Sequence, residues 1–133
     1  MAGYSEEADI KILWPQAKDA HIGIVVYCIT KAYNMINTYL CNRYSVPFTA
    51  IYPPQIVSIS DELTVYYLKR SLNPGAGDLD DRTVDSYVLA KNELEALRDG
   101  KTHLVDSDGN LVADNLLPDS NTRSYQPIFE QYK

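Results

Sequence analysis

Tyr39–Pro54 reads YLCNRYSVPFTAIYPP, a stretch that ends one helix, turns sharply and starts another. Pro47 biases Val46 away from helical backbone, and Pro53-Pro54 bars a continuous helix across the junction. Pro54 can itself open a helix, because the N–H it lacks has no partner in a first turn. The pairs Tyr39-Leu40, Arg43-Tyr44 and Pro47-Phe48 stand at fixed offsets, and none supplies a nucleophile, a metal ligand set or a phosphate loop. These six residues read as a structural corner, in which Arg43 is expected to pair with a helix carboxylate or carbonyl.

Upstream of the corner, Ile22, Val25, Val26, Ile29, Tyr33, Ile36 and Leu40 recur at steps of three and four, which predicts a long amphipathic helix from near Asp19 to about Arg43. Thr30, Lys31, Asn34, Asn37 and Thr38 fall on its polar side. Ser5, followed by Glu6 and Glu7, reads as an N-cap for a short helix from Glu6 to about Leu13, stopped by Pro15. A strand over Asp9–Trp14 is the alternative, since Ile10, Ile12 and Trp14 also alternate.

Downstream, a second helix is predicted from Pro54 to Leu72, with Ile56, Ile59, Leu63, Tyr66 and Tyr67 on its buried stripe. Asn73-Pro74-Gly75-Ala76-Gly77 is a loop by composition. Asp78, Asp80 and Asp81 suit the positive end of a third helix better than a metal site, because no partner carboxylate cluster accompanies them. That helix runs to about Asp99, with Val84, Tyr87, Ala90, Leu94 and Leu97 on one side and Gly100 at the C′ position.

After Gly100 the pattern alternates. Thr102–Val105 and Asn110–Ala113 flank Asp106-Ser107-Asp108-Gly109, which predicts a β-hairpin with an Asp-Gly turn. A calcium loop fails on spacing: counted from Asp106, the glycine falls at position four and Leu117 at position twelve, whereas an EF-hand needs about six and twelve, with glutamate last. Pro118–Lys133 is polar and proline-broken at first, then apolar at Tyr125, Ile128, Phe129 and Tyr132. Sixteen residues cannot build a core, so Tyr125, Pro127, Ile128, Phe129 and Tyr132 are candidate partner-binding residues. The expected architecture is mainly α: a three-helix core with a short N-terminal helix, a C-terminal β-hairpin and an extended tail, divided into residues 1–117 and 118–133.

At 133 residues and 45% hydrophobic, the chain has enough apolar content for one modest core. Its net charge of −6 and the lack of any basic run argue against a surface that grips nucleic acid. The first residues, MAGYSEEADIK, are acidic and carry no signal-peptide pattern. The apolar run Gly23–Ile29 is too short to cross a bilayer, so a cytoplasmic site of synthesis and no membrane partner are expected. Cys28 and Cys41 fall about 20 Å apart along one helix and cannot bridge.

Chemistry finds little footing. His21 and His103 are the only histidines, no Gly-x-Ser-x-Gly elbow exists, and two cysteines with two histidines lack zinc-site spacing. Gly75-Ala76-Gly77 lacks the lysine of a phosphate loop. Neither enzyme activity nor a cofactor nor a metal is expected. Of eleven tyrosines, Tyr33, Tyr39, Tyr66 and Tyr87 read as core-edge residues, and Tyr4, Tyr27, Tyr125 and Tyr132 as contact residues.

The run YLxxRYxxPF, a proline-started apolar helix after it and a third helix ending at Gly100-Lys101 together resemble the small head–tail connector (adaptor) proteins of long-tailed bacteriophages, in particular the Mu-like prophage connector group. The resemblance covers about residues 5 to 104; the chain departs from it by carrying Ser58, Ser60 and Thr64 on its second helix. It implies a virion protein at the neck, roughly twelve copies of which form a closed ring between the portal protein and a tail-side stopper or tail terminator. It also implies that DNA passes through the ring without specific binding. The alternative is a small cytoplasmic helical protein that binds a partner and has no virion role.

Overall fold

A computed structural model describes residues 3–72 and 81–113. Four α-helices follow one another: α1 (Glu7–Leu13), α2 (Ile22–Leu40), α3 (Pro54–Leu72) and α4 (Asp81–Arg98), with a 3-10 turn at Pro15–Asp19 between the first two. The N-terminal segment is thus helix and not strand. Ser5 does not cap it. Its hydroxyl lies 2.6 Å from that of Ser60, so it ties the N-terminus to α3 while Glu6 takes the cap position without a side-chain bond.

The long helix is shorter than its periodicity predicts at both ends. Pro15 opens the 3-10 turn, and His21 Nδ1 then accepts a hydrogen bond from Gly23 N at 3.0 Å, which fixes the start of α2 at Ile22. At the other end, the amides of Arg43 and Tyr44 both turn back onto the Leu40 carbonyl. The Val46–Pro47 peptide that follows is cis.

Helices α2, α3 and α4 pack on one another, and α1 leans on α3. Val25, Cys28, Ile29, Ala32, Ile36 and Leu40 meet Ile56, Ile59, Leu63, Leu68, Ala90, Leu94 and Leu97 in one apolar core. Full burial of each Leu or Ile contributes roughly 1.5–3 kcal/mol. Six predicted stripe positions are not fully buried: Ile22 and Val84 are exposed, and Val26, Tyr33, Tyr66 and Tyr87 are half-buried. In the first turn of α4 the buried position is Thr83, whose hydroxyl accepts from Lys69 Nζ at 2.8 Å. That bond lets a polar residue replace Val84 at the α3–α4 contact.

Gly100 ends α4 with φ +84°, in the left-handed region that glycine reaches without steric cost. Its amide bonds the Leu97 carbonyl at 3.4 Å and that of Lys101 bonds Ala96 at 2.9 Å, the paired closure of a Schellman motif.

The predicted hairpin is corrected. Pairing stops at a single antiparallel bridge between Val105 and Leu111, and no strand forms among the described residues. Asp106 explains this locally, because its carboxylate accepts from the amides of Asp108 and Asn110, both at 2.9 Å, and holds a compact turn with Gly109 at φ +87°. The bridged pair Val105 and Leu111 is exposed, and of the flanking residues Leu104 joins the core. The loop Asn73–Gly77, residues Asp78 and Asp80, and the tail Pro118–Lys133 lie outside the described residues.

Candidate functional site

Arg43 anchors the corner. It is 1% exposed, which is costly for a guanidinium unless its donors are satisfied. Nη1 donates to the carbonyls of Leu97 and of Thr102, the latter at 2.6 Å, and Nη2 lies 2.6 Å from His103 Nδ1. A guanidinium only donates, so His103 accepts at Nδ1 and a neutral ring carries its proton on Nε2. The charge therefore sits against the carbonyl end of α4, where the helix dipole favours a cation. The guanidinium also lies 4.9 Å from the Tyr44 ring centroid, a cation–π distance.

The neighbouring side chains fasten the same junction. Leu40 is fully buried and Tyr44 nearly so; the Tyr44 hydroxyl accepts from the amide of buried Leu104 at 3.1 Å. Phe48 packs on Tyr44, while its amide donates to the Tyr4 hydroxyl at 3.0 Å. Tyr39 is half-buried, with the Arg98 guanidinium 5.4 Å over its ring. Pro47 is exposed. The six corner residues thus stand together where the end of α2 meets the end of α4.

Tyr4 belongs to this cluster, which the sequence pattern missed. Read as a contact residue, it is instead 3% exposed. Its ring lies 4.9 Å from Tyr33, 5.9 Å from Phe48 and 4.9 Å from Tyr52, and its hydroxyl donates to Asn37 Oδ1 at 2.5 Å. Burial, opposed by the Phe48 amide, pushes this phenol up to about 12. No periodicity could reveal it, because Tyr4 precedes the first helix. A second aromatic group joins α3 to α4, with Tyr66 stacked on Tyr87 at 3.8 Å between centroids. The Tyr67 hydroxyl reaches Met35 Sδ at 2.8 Å. Tyr27, by contrast, is 62% exposed.

Among the described residues no group of three or more His, Cys, Asp or Glu stands close enough to hold an ion. Cys28 is buried and Cys41 exposed, both as free thiols. Burial raises the Cys28 thiol, against the opposing effects of Ser71 and Lys31, the reverse of what an activated thiolate requires. Alkylation without reductant followed by mass measurement is expected to count two modified thiols, and a mass two protons lower would contradict the intact α2 helix.

Asp61 is held in an unfavourable setting for a charge. Its Oδ1 is buried without a partner, and burial raises its carboxyl above the ordinary value; the Ser5 hydrogen bond opposes this, and Asp9 and Glu62 add to it. A raised acid favours the folded state below its unfolded value of 3.8 and loses that contribution as pH rises through the folded value. Asp61→Asn is therefore expected to raise the melting temperature at pH 7, with the gain fading toward pH 3.8. Thermal melts across pH check this; a lower melting temperature at neutral pH would contradict it.

Tyr125, Pro127, Ile128, Phe129 and Tyr132 lie outside the described residues. Comparison with curated proteins gives no match. A family model described as Bacteriophage Mu, Gp36 matches residues 4–117, which takes in the corner, all four helices and the Asp106 turn. The chain belongs to the bacteriophage Mu Gp36 family.

Proposed function

We propose that this protein is a structural subunit of the phage particle, a head-to-tail connector whose copies form a closed ring between the portal protein and a tail-side neck protein. The observation that carries the reading is the family match over residues 4–117. The geometry agrees with a passive scaffold. Arg43, Tyr44 and Tyr4 spend their polar groups on internal hydrogen bonds, which tie the end of α2 to the segment after α4 and to the N-terminus. Among the described residues no helix is long and apolar enough to cross a membrane.

A ring of roughly twelve copies uses a heterologous contact, one face of each subunit against a different face of the next. In this reading DNA passes through without specific binding, the chain performs no catalysis, and assembly takes place in the host cytoplasm. The C-terminal segment Pro118–Lys133 supplies the docking contacts to its neighbours in the neck. Native mass spectrometry of the protein mixed with its phage's portal protein tests this, with a portal-bound multimer of this chain as the expected species and unbound monomer as the contrary one.

The net charge of −6 gives a further expectation. Proteins that grip DNA neutralise phosphates with clustered Lys and Arg, and their affinity falls steeply with salt. Fluorescence anisotropy with duplex DNA at physiological salt is expected to show no binding, and tight salt-sensitive binding would point to an active DNA-handling role.

A further inference from the structure

The N-terminal segment is held on the core by side chains in and before α1. Gly3 lies so close to α2 that a Cβ there would collide with Ile29. Tyr4 and Ile10 are buried, and Tyr4 covers Tyr33, Phe48 and Tyr52 at the corner. Beyond α1, Ala17 is fully buried and keeps the 3-10 turn on the core. Trp14, between the two, has extended backbone (φ −140°, ψ 93°) and is followed by Pro15, so residues 3–13 join the rest of the chain through one extended link.

Where this segment meets α3, its polar contacts converge on one carboxyl. Ser5 is 4% exposed, and its hydroxyl stands 2.6 Å from that of fully buried Ser60. Ser5 also hydrogen-bonds Asp61. A carboxylate only accepts, so Ser5 donates to Asp61 and Ser60 donates to Ser5. Asp61 Oδ1 remains buried without a partner, as does the hydroxyl of Thr64 on the next turn.

The charges that act on Asp61 oppose its ionisation: Asp9 from α1 and Glu62 from α3. Also on α1, Glu7 is paired with Lys11 at 3.5 Å. The cleft of about 370 Å³ that Asp61 borders is otherwise lined by Leu13, Pro54, Val57, Ser58 and Glu62, with no basic side chain among the described residues. Lys69 and Arg82 line the adjoining cleft against α4, which shares Leu13 and Glu62, and there Lys69 donates to Thr83.

A charged Asp61 thus has one desolvated oxygen and faces Asp9 only while the N-terminal segment is docked. Undocking returns the carboxylate to water and takes Asp9 away. We propose that residues 3–13 are a strap latched by the protonation of Asp61, held on α3 by the neutral acid and loosened by the charged one. Because burial raises the docked carboxyl above its ordinary 3.8, the hold is complete below that value and is lost as pH rises through the docked one. Opening uncovers Tyr33, Asn37, Phe48 and Tyr52, the residues that Tyr4 touches, so this aromatic face is offered more at neutral than at acid pH. The strap belongs to the single chain and does not depend on the ring.

Hydrogen exchange of the full chain between about pH 4 and about pH 8, expressed as protection factors, tests the proposal. The amides of Ile10 and Trp14, bonded to the carbonyls of Glu6 and Ile10, report the strap, because a helix of 7 residues does not persist off the core. Those of Ile36 and Leu94 report the core. The strap amides are expected to be less protected than the core amides, and their protection to fall by up to about tenfold per pH unit between 3.8 and the docked value. Asp61→Asn is expected to flatten that fall, and Ser5→Ala, which removes a donor to the carboxylate, to extend it to higher pH. Equal protection of strap and core amides at every pH would mean that no strap opens on its own, and a fall that persists unchanged in Asp61→Asn would assign the switch to another group. Either result would overturn the proposal.

Discussion

Arg43→Met is expected to lower the stability of the folded chain by about 3 kcal/mol. The side chain is buried and supplies donors to the Leu97 carbonyl, the Thr102 carbonyl and His103 Nδ1. Methionine fills much of the same volume and donates nothing, so the change isolates the hydrogen bonds. Bonds to charged donors contribute roughly 1.5–3 kcal/mol each, and a buried acceptor left alone costs about 1–3 kcal/mol. Thr102 and His103 are exposed as residues and regain water, which keeps the total near 3 kcal/mol rather than three times a single bond. Lysine should recover only part of the loss, since one ammonium cannot reproduce a planar fork. Leu40→Ala removes buried apolar volume and falls in the range of about 2–5 kcal/mol, whereas Pro47→Ala, at an exposed position, costs little. Urea unfolding with unchanged slope reads these differences directly. A loss under 1 kcal/mol for Arg43→Met would mean that packing alone holds α2 to α4.

Deleting residues 119–133 is expected to leave the melting temperature within a few degrees of the full chain while abolishing incorporation into the portal-bound ring. Among the described residues the apolar core runs from Tyr4 to Leu104 and is built without the deleted stretch. What it removes is the docking segment, with Tyr125, Ile128, Phe129 and Tyr132. Ordering such a segment on a neighbour costs roughly 1–2 kcal/mol per residue, and the buried aromatic contacts it makes must exceed that. Differential scanning calorimetry and co-sedimentation with the portal protein measure the two halves of the expectation. Unfolding of the truncated chain would place the tail in the core, and normal assembly would remove its docking role.

The helices were legible where periodicity and punctuation agreed. Pro54 to Leu72 was bounded by a proline at one end and a loop at the other, and its bounds stand as read. The start of α2 was not legible, because His21 caps with an imidazole nitrogen rather than a serine or aspartate side chain. The hairpin was overread for a physical reason: alternation over four residues on each side resembles a strand pair, yet Asp106 draws the intervening amides to its own carboxylate. At the corner, YLxxRYxxPF identified the participants by type. It could not identify their partners, since Leu97, Thr102, His103 and Tyr4 lie far along the chain and carry no pattern that points back to Arg43. Ser60 shows the same limit, for a serine on a helix reads as surface until Ser5 is seen against it.

Electron cryomicroscopy of the necks of purified virions, with mass spectrometry of the same particles, tests the connector role most directly. The expected result is a ring of roughly twelve copies of this four-helix subunit between portal and tail, with the DNA channel continuing through its centre. Particles that are complete and infectious yet contain none of this chain would contradict it.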